Sequence, residues 1–421
     1  MTDLKKKALD FHNQSEPGKI EVITSKPLKS KEDLALAYTP GVVHPCLEIR
    51  KNPEKAWEYT MKGNTIAIIT DGSRILGLGN IGPLAGLPVM EGKAMLFKML
   101  GDVNAVPVCI STQDSEEFIE TVKRITTSFG GINLEDIKAP RCFKVERELS
   151  QALDIPVFHD DQHGTAVAAL AGLINALKHV KKDISKARIV VNGAGAAGLA
   201  IARLLIVAGA KDLVILDSKG ILGPQRKDLE HEKLELAKTT NKRGVTGGLA
   251  DAVKGADAFI GVSAPGVLTK AMVRSMNSDA IVFALANPDP EITVKDALDA
   301  GARVVATGSS SDHNQVNNSL VFPGMFRGML DCRAKKVNNE MKLAAAHAIA
   351  ELVPKKELHG AYIIPDALDP RVAKHVALAV VKAAMKSGVA RKEVKDLKHY
   401  EERVEKRIGH SHEQGKIGRK H

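Results

Sequence analysis

Hydrophobic residues fall along this chain in short runs separated by longer amphipathic stretches. TIAIITD (65–71) is an apolar run of strand length, and the glycine-rich SRILGLGNIGP leads from it into a helical stretch around GKAMLFKML. NAVPVCI (104–110) predicts a second strand. Asp114 and Glu117 have capping-box spacing, ahead of a helix carrying Phe118, Val122, Ile125 and Phe129 on one face. Gly130-Gly131 breaks that helix, INLEDI follows as a short extended segment, and PVFHDDQHGT reads as a strand ending in a polar cluster. The next helix has an apolar stripe of Ala166, Leu170, Leu173, Ile174 and Leu177.

Lys181-Lys182-Asp183 reads as a loop, after which the order is strand, glycine turn, helix, strand: RIVVN (188–192), GAGAAG, LAIARLLIVAGA and DLVILD (212–217). Further strands are expected at AFIGV (258–262), AIVFALAN (280–287) and RVVATG (303–308), alternating with helices, one of them capped by Thr293. Such alternation predicts a parallel sheet with helices on both faces. From Pro323 the pattern is mainly helical and includes a helix over 371–386 that Gly388 would end. The fold class is therefore α/β. We expect an N-terminal α/β domain over 1–160, a Rossmann-type doubly wound domain with following helices over 161–390, and a basic tail over 391–421.

Composition narrows the classes. Hydrophobic residues at 44% and charged residues at 26% are the balance of a soluble globular enzyme. Aromatic residues make up 4%, with one tryptophan, too few for a nucleic-acid surface of stacked aromatic platforms. Cys46, Cys109, Cys142 and Cys332 are scattered without zinc spacing, as in a reducing cytoplasm. The N-terminus has no apolar stretch, and nothing approaches the run of about 18 apolar residues that a membrane span needs, so no membrane partner is expected. The net charge of +10 raises the question of an acidic partner. From Lys386 to His421 there are eleven Lys/Arg against six Asp/Glu, so half of the excess lies in the tail. That segment is polar, mixed in sign and weakly periodic, which favours a solvated or partly disordered end over nucleic-acid binding. Its His410, His412 and His421 read as surface residues rather than metal ligands.

Two constellations carry chemistry. Gly193, Ala194, Gly195, Ala196, Ala197 and Gly198 form GxGxxG between a strand and a helix, where glycines permit a tight turn and close backbone approach to a pyrophosphate. Asp217 ends the next strand, 19 residues beyond Gly198, where a carboxylate can accept from ribose hydroxyls. It favours NAD over NADP by repelling a 2′-phosphate, although Ser218 and Lys219 could accommodate a phosphate if Asp217 turned away. Upstream lie Lys93, the pair Glu135-Asp136 and the pair Asp160-Asp161. Either pair alone reads as a helix cap or a solvated turn. Together, at the ends of extended segments of one α/β domain, they could converge at the sheet's C-terminal edge and offer hard oxygen ligands to Mg²⁺ or Mn²⁺. His159 and His163 flank the second pair. With no cysteine or third histidine nearby, zinc is not expected, and both histidines read as packing or supporting residues.

At this point the chain resembles the malic enzyme family. The matching segments are AYTPGV (37–42), SRILGLGNIG (73–82), GKAMLF (92–97), NLEDI (133–137), HDDQHGTA (159–166), ANPDPE (286–291) and VNNSLVFPG (316–324). The resemblance implies an NAD(P)-dependent decarboxylating oxidoreductase that converts malate to pyruvate, with oxaloacetate decarboxylation as a companion activity, acting as a homodimer or higher homo-oligomer. It implies Glu135, Asp136 and Asp161 as cation ligands, Lys93 as general base supported by Asp160, and Tyr38 as general acid, with Tyr38 serving a neighbouring subunit as one arrangement. It also implies Arg74 on a malate carboxylate and Asn287 and Asn318 on substrate or nicotinamide, with Asn317 a weaker candidate. Each residue has a plain alternative: a surface lysine, a tyrosine packed on the Pro40-Gly41 turn, a surface ion pair for Arg74, turn roles for the asparagines. Near a dication, Lys93 is expected to have a depressed pKa. An amino-acid dehydrogenase, which needs no metal, and a nucleic-acid-binding protein on the same scaffold are the competing readings.

Overall fold

A computed structural model describes residues 2–13 and 18–417; the side chains of Thr2, His410 and 412–417 lie outside that description, as does His421. The expected strands form, in two sheets. In the first, β1 (Thr65–Thr70), β2 (Asn104–Cys109), β3 (Ile132–Leu134) and β4 (Val157–His159) run parallel in the order β2-β1-β3-β4. All six residues of β1 are buried, as in a parallel strand covered on both faces.

The second sheet contains β5 (Arg188–Asn192), β6 (Asp212–Asp217), β7 (Gly220–Ile221), β8 (Ala258–Gly261), β9 (Ile281–Ala284) and β10 (Val304–Thr307) in the order β10-β9-β8-β5-β6-β7. Its pairs are parallel except β6 with β7, a two-residue antiparallel edge absent from the sequence reading. Gly220 at φ 114 permits the turn that brings the chain back along Asp217. Alternate side chains serve two cores. Val190, Val214, Phe259 and Val282 join one apolar cluster, whereas Ile189, Val191, Ile215, Ile260 and Phe283 join the larger one, which also holds the first sheet. The order reverses between β5 and β8, the switch point where ligands bind in such sheets.

The helix Asp160–His179 connects the sheets, and its residues are buried nearly all round rather than along one stripe. After Val321 the chain returns to the first sheet. Phe97 packs on Phe322 and Phe326 with ring centroids 4.5 and 5.3 Å apart, and Phe158 lies 5.9 Å from Phe326. Gly388, at φ 73, follows the helix Arg371–Lys386 as expected.

Two local expectations need correction. Asp114 accepts from the Glu117 N–H at 2.8 Å, but the Glu117 carboxylate accepts from the Thr112 hydroxyl at 2.6 Å, so only half of the capping box forms. Over its described residues the tail is not a solvated end: residues Leu397–Ile417 form a helix with Tyr400, Val404 and Ile408 buried. Those three positions are four residues apart, and the charges between them obscure the stripe. Arg407 donates to Asp102 at 2.9 Å, and the Ser411 hydroxyl donates to Asp102 at 2.8 Å, so the basic charges are partly spent on the body of the protein.

Candidate active site

The chemistry gathers at the C-terminal edge of the first sheet. Glu135 and Asp136 follow β3 directly. Asp160 and Asp161 occupy the first turn of the helix Asp160–His179, just past the end of β4, where the partial positive charge of a helix start favours carboxylates. Because β3 and β4 pair in register, Leu134 against His159, the two acidic pairs leave the sheet side by side. Lys93 comes from the helix Pro83–Gly101, and its Nζ donates to Glu135 Oε1 at 2.6 Å and to Asp160 Oδ2. All three side chains are buried.

Several contacts set this geometry. Glu135 Oε2 accepts from the Asn133 amide at 3.0 Å, and the Lys93 ammonium lies 4.5 Å from the ring centroid of Phe322. Asp136 has φ 53, a left-handed conformation that aspartate adopts at a cost, and its N–H donates to Asp161 Oδ2 at 2.8 Å. Arg74 N–H donates to the Asp136 carbonyl at 3.1 Å, which ties the glycine-rich loop to this corner. The exposed Arg74 guanidinium is close enough to Asp161 to favour its ionised form. Gly164 is required here, because a Cβ would collide with Asp160 Oδ1 one turn earlier.

The electrostatics are those of crowded buried carboxylates. Burial, followed by repulsion from Asp161 and Glu135, pushes Asp136 up to about 9. Burial likewise pushes Asp160 up to about 8, and Glu135 and Asp161 are raised. Burial alone would lower the Lys93 ammonium, but Asp160, Glu135 and Asp161 outweigh it and hold it above the ordinary lysine value. The protein's own charges thus act opposite to the depression expected from sequence, because that expectation counted the dication and not the carboxylates.

Among the described residues, no three His, Cys, Asp or Glu side chains are already arranged around one cation position. Glu135 is turned toward Lys93 and Asn133, and Asp161 toward the Asp136 N–H. The donor set nevertheless suits a hard dication: Glu135, Asp136 and Asp161 offer only oxygen and repel one another. His163 donates to Glu146 at 2.9 Å, and both ring nitrogens of the buried His159 lack a hydrogen-bond partner, so the two histidines do not share a ligand.

At the second sheet, Gly193 has φ 114, and a Cβ on Gly198 would collide with the Gly193 carbonyl. Gly195, the N-cap of the helix Ala196–Val207, brings no side chain, so Ala196 and Ala197 present first-turn N–H groups suited to a pyrophosphate, and Ala194 is buried. Asp217 ends β6 as expected, but its carboxylate already accepts from Arg226 at 2.7 and 3.2 Å and from Lys233 at 3.0 Å. Burial pushes it up, yet these two cations hold it below the ordinary carboxylate value. Neither cation figured in the sequence reading, because both lie beyond the β7 turn.

The asparagines divide. Asn287 follows β9 on the exposed C-terminal edge, where its neighbour Pro288 lies against Gly77 of the glycine-rich loop, so the two sheets' edges face each other. Asn318 is half-buried beside Gly164 and hence near Asp160. Asn317 accepts from Ser319 N–H at 2.9 Å, which is a turn role. Tyr38, at the end of the helix Lys31–Ala37, is 69% exposed and has no bond to the Lys93 cluster within one chain. Sequence reasoning missed Asn133, Phe322 and Glu291. Glu291 is buried and accepts from Ser263 N–H at 2.8 Å and Ala286 N–H at 3.1 Å, binding the ends of β8 and β9 together. All three lie inside or beside the quoted segments, but their roles depend on partners distant in the chain.

The chain is similar to known proteins over most of its length. The family profile described as "Malic enzyme, N-terminal domain" matches residues 17–150, and "Malic enzyme, NAD binding domain" matches residues 162–385. The chain is 53% identical over 389 residues to the bifunctional malic/malolactic enzyme of Bacillus subtilis, covering 92% of this chain and 95% of that protein. It is 49% identical over 410 residues to the NADP-dependent malic enzyme of Halomonas elongata, covering 93% and 96%. The crystal structure of malic enzyme from Pyrococcus horikoshii superposes with a TM-score of 0.91 at 50% identity, covering 97% of this chain and 96% of that one.

Proposed function

This chain belongs to the malic enzyme family, an NAD- or NADP-dependent decarboxylating oxidoreductase family, and from that premise we propose that it converts (S)-malate to pyruvate and CO₂ in a cation-dependent reaction at Lys93. The observation that carries this reading is the buried contact of Lys93 with Glu135 and Asp160, beside Asp136 and Asp161.

Glu135, Asp136 and Asp161 would hold Mg²⁺ or Mn²⁺, which when bound supplies a Lewis acid for the C2 oxygen and offsets the carboxylate charge that raises Lys93. Arg74, exposed beside Asp161, binds a malate carboxylate. Lys93 Nζ accepts the C2 hydroxyl proton, with Asp160 holding the ammonium in place, while hydride leaves C2 for the nicotinamide. The C3–C4 bond then breaks to release CO₂, and C3 takes a proton to give pyruvate. Oxaloacetate, the C2-oxidised acid, is a substrate for the second half of this sequence. Asn287 and Asn318 line the edge where substrate and nicotinamide would meet.

Tyr38 is the proton donor to C3, acting in a second copy of the chain. Supporting this, Tyr38 is exposed, and Leu34, Leu36, Val43 and Leu47 around it expose apolar surface that a partner subunit would cover. The test is an assay with malate and Mn²⁺, run in parallel with NAD and NADP while CO₂ is followed. No reduction of either dinucleotide would refute the reading.

A further inference from the structure

Beside the first turns of the helix Asp160–His179, two adjoining cavities of about 290 and 280 Å³ share His163, Arg203 and Lys342. They lie in the seam where the helix Arg141–Ala152 of the first unit meets the helices Ala196–Val207 and Asn339–Glu351 of the second, and Arg203 itself stands 5.9 Å over the ring of Phe143. Cavities of this size between structural units are common places for small ligands.

The polar end of the groove is cationic and unevenly compensated. Arg203 shares Glu232 with Arg147, and Glu146 is occupied by His163, by the Gln162 amide at 3.0 Å and by the His159 N–H at 3.1 Å. Lys342 is half-buried, and among the described residues its Nζ has one polar neighbour, His163 Nδ1, at a long 3.5 Å. Burial, opposed by Glu146 and aided by Arg203, holds its ammonium below the ordinary lysine value. A half-buried ammonium beside a guanidinium, with Glu146 and Glu340 near but neither bonded to it, is a charge arrangement that an incoming anion completes. The opposite wall is apolar, made by Ala166, Ala200 and Leu204.

We propose that this groove is a second binding site, separate from the Lys93 cluster, for a small organic carboxylate whose anionic end lies between Lys342 and Arg203 and whose short apolar portion rests on Ala166, Ala200 and Leu204. The mixed lining argues for that class over inorganic phosphate, which would leave the apolar wall uncovered.

Calorimetric titration of the full chain with butanoate tests it, with butanamide and inorganic phosphate as comparisons. Saturable one-to-one butanoate binding is expected. It weakens at least tenfold in Lys342→Met and in Arg203→Gln, a second variant at the groove's more exposed end, and survives in Arg74→Gln, which removes the proposed malate contact. No saturable binding, unchanged binding in both groove variants, or loss in Arg74→Gln would overturn the site. Butanamide or phosphate binding as tightly as butanoate would overturn the assignment of ligand class.

Discussion

Lys93 Nζ lies 2.6 Å from Glu135 Oε1 with both side chains buried, a contact that joins the helix Pro83–Gly101 to the end of β3. Lys93→Met keeps most of the side chain's bulk but removes the proposed base and leaves Glu135 and Asp160 without their cation. We expect malate oxidation to fall by about 10²–10⁴, the usual contribution of a positioned proton-transfer group, while dinucleotide binding persists. Stability should fall by about 3–5 kcal/mol, the cost of stranding buried charge, as read by urea unfolding. Wild-type turnover would remove Lys93 from the mechanism.

The carboxylates make stability depend on pH and on cations. Asp136 and Asp160 are raised to about 9 and about 8 by burial and by neighbouring carboxylates, against about 4 in an unfolded chain. A group raised in the folded state contributes stability below its unfolded value and loses it as pH climbs to the folded one. Chelated protein should therefore melt at progressively lower temperature from pH 5 to pH 9, and saturating Mn²⁺ should remove most of that decline. Asp161→Asn should weaken the Mn²⁺ effect. A melting profile indifferent to both pH and Mn²⁺ would contradict the proposed ligand set.

Coenzyme choice should turn on Asp217. Arg226 and Lys233 already neutralise it, so its repulsion of a 2′-phosphate is weaker than the bare sequence suggests. In Asp217→Ser both cations are released toward the adenosine ribose. The ratio of kcat/KM for NADP to that for NAD should rise about tenfold or more, equivalent to about 1.4 kcal/mol. An unchanged ratio would place the ribose elsewhere.

The C-terminal helix should contribute to stability. Tyr400 is buried, and its hydroxyl donates to Asp331 Oδ2 at 3.0 Å, while Asp331 also receives the fully buried Arg327 guanidinium at 2.6 and 2.9 Å. Tyr400→Phe removes one bond to a charged acceptor, so a loss of about 1.5–3 kcal/mol is expected in urea unfolding. A solvated tail would show no change.

Local patterns in the sequence determined a great deal. Apolar runs placed the strands, the glycines around Gly193 marked the dinucleotide turn, and Gly388 marked a helix end, because each is decided by backbone conformation within a few residues. The ordered segments around Lys93, Glu135 and Asp161 pointed to the family and named the residues of the proposed site. Only the tertiary structure decided what those residues touch. It turned Glu135 toward Lys93, surrounded Asp217 with Arg226 and Lys233, folded the charged tail onto Asp102 and left Tyr38 exposed. The physical reason is that pKa, ion pairing and burial depend on distances between atoms far apart in the chain, and periodicity within a segment carries no record of them.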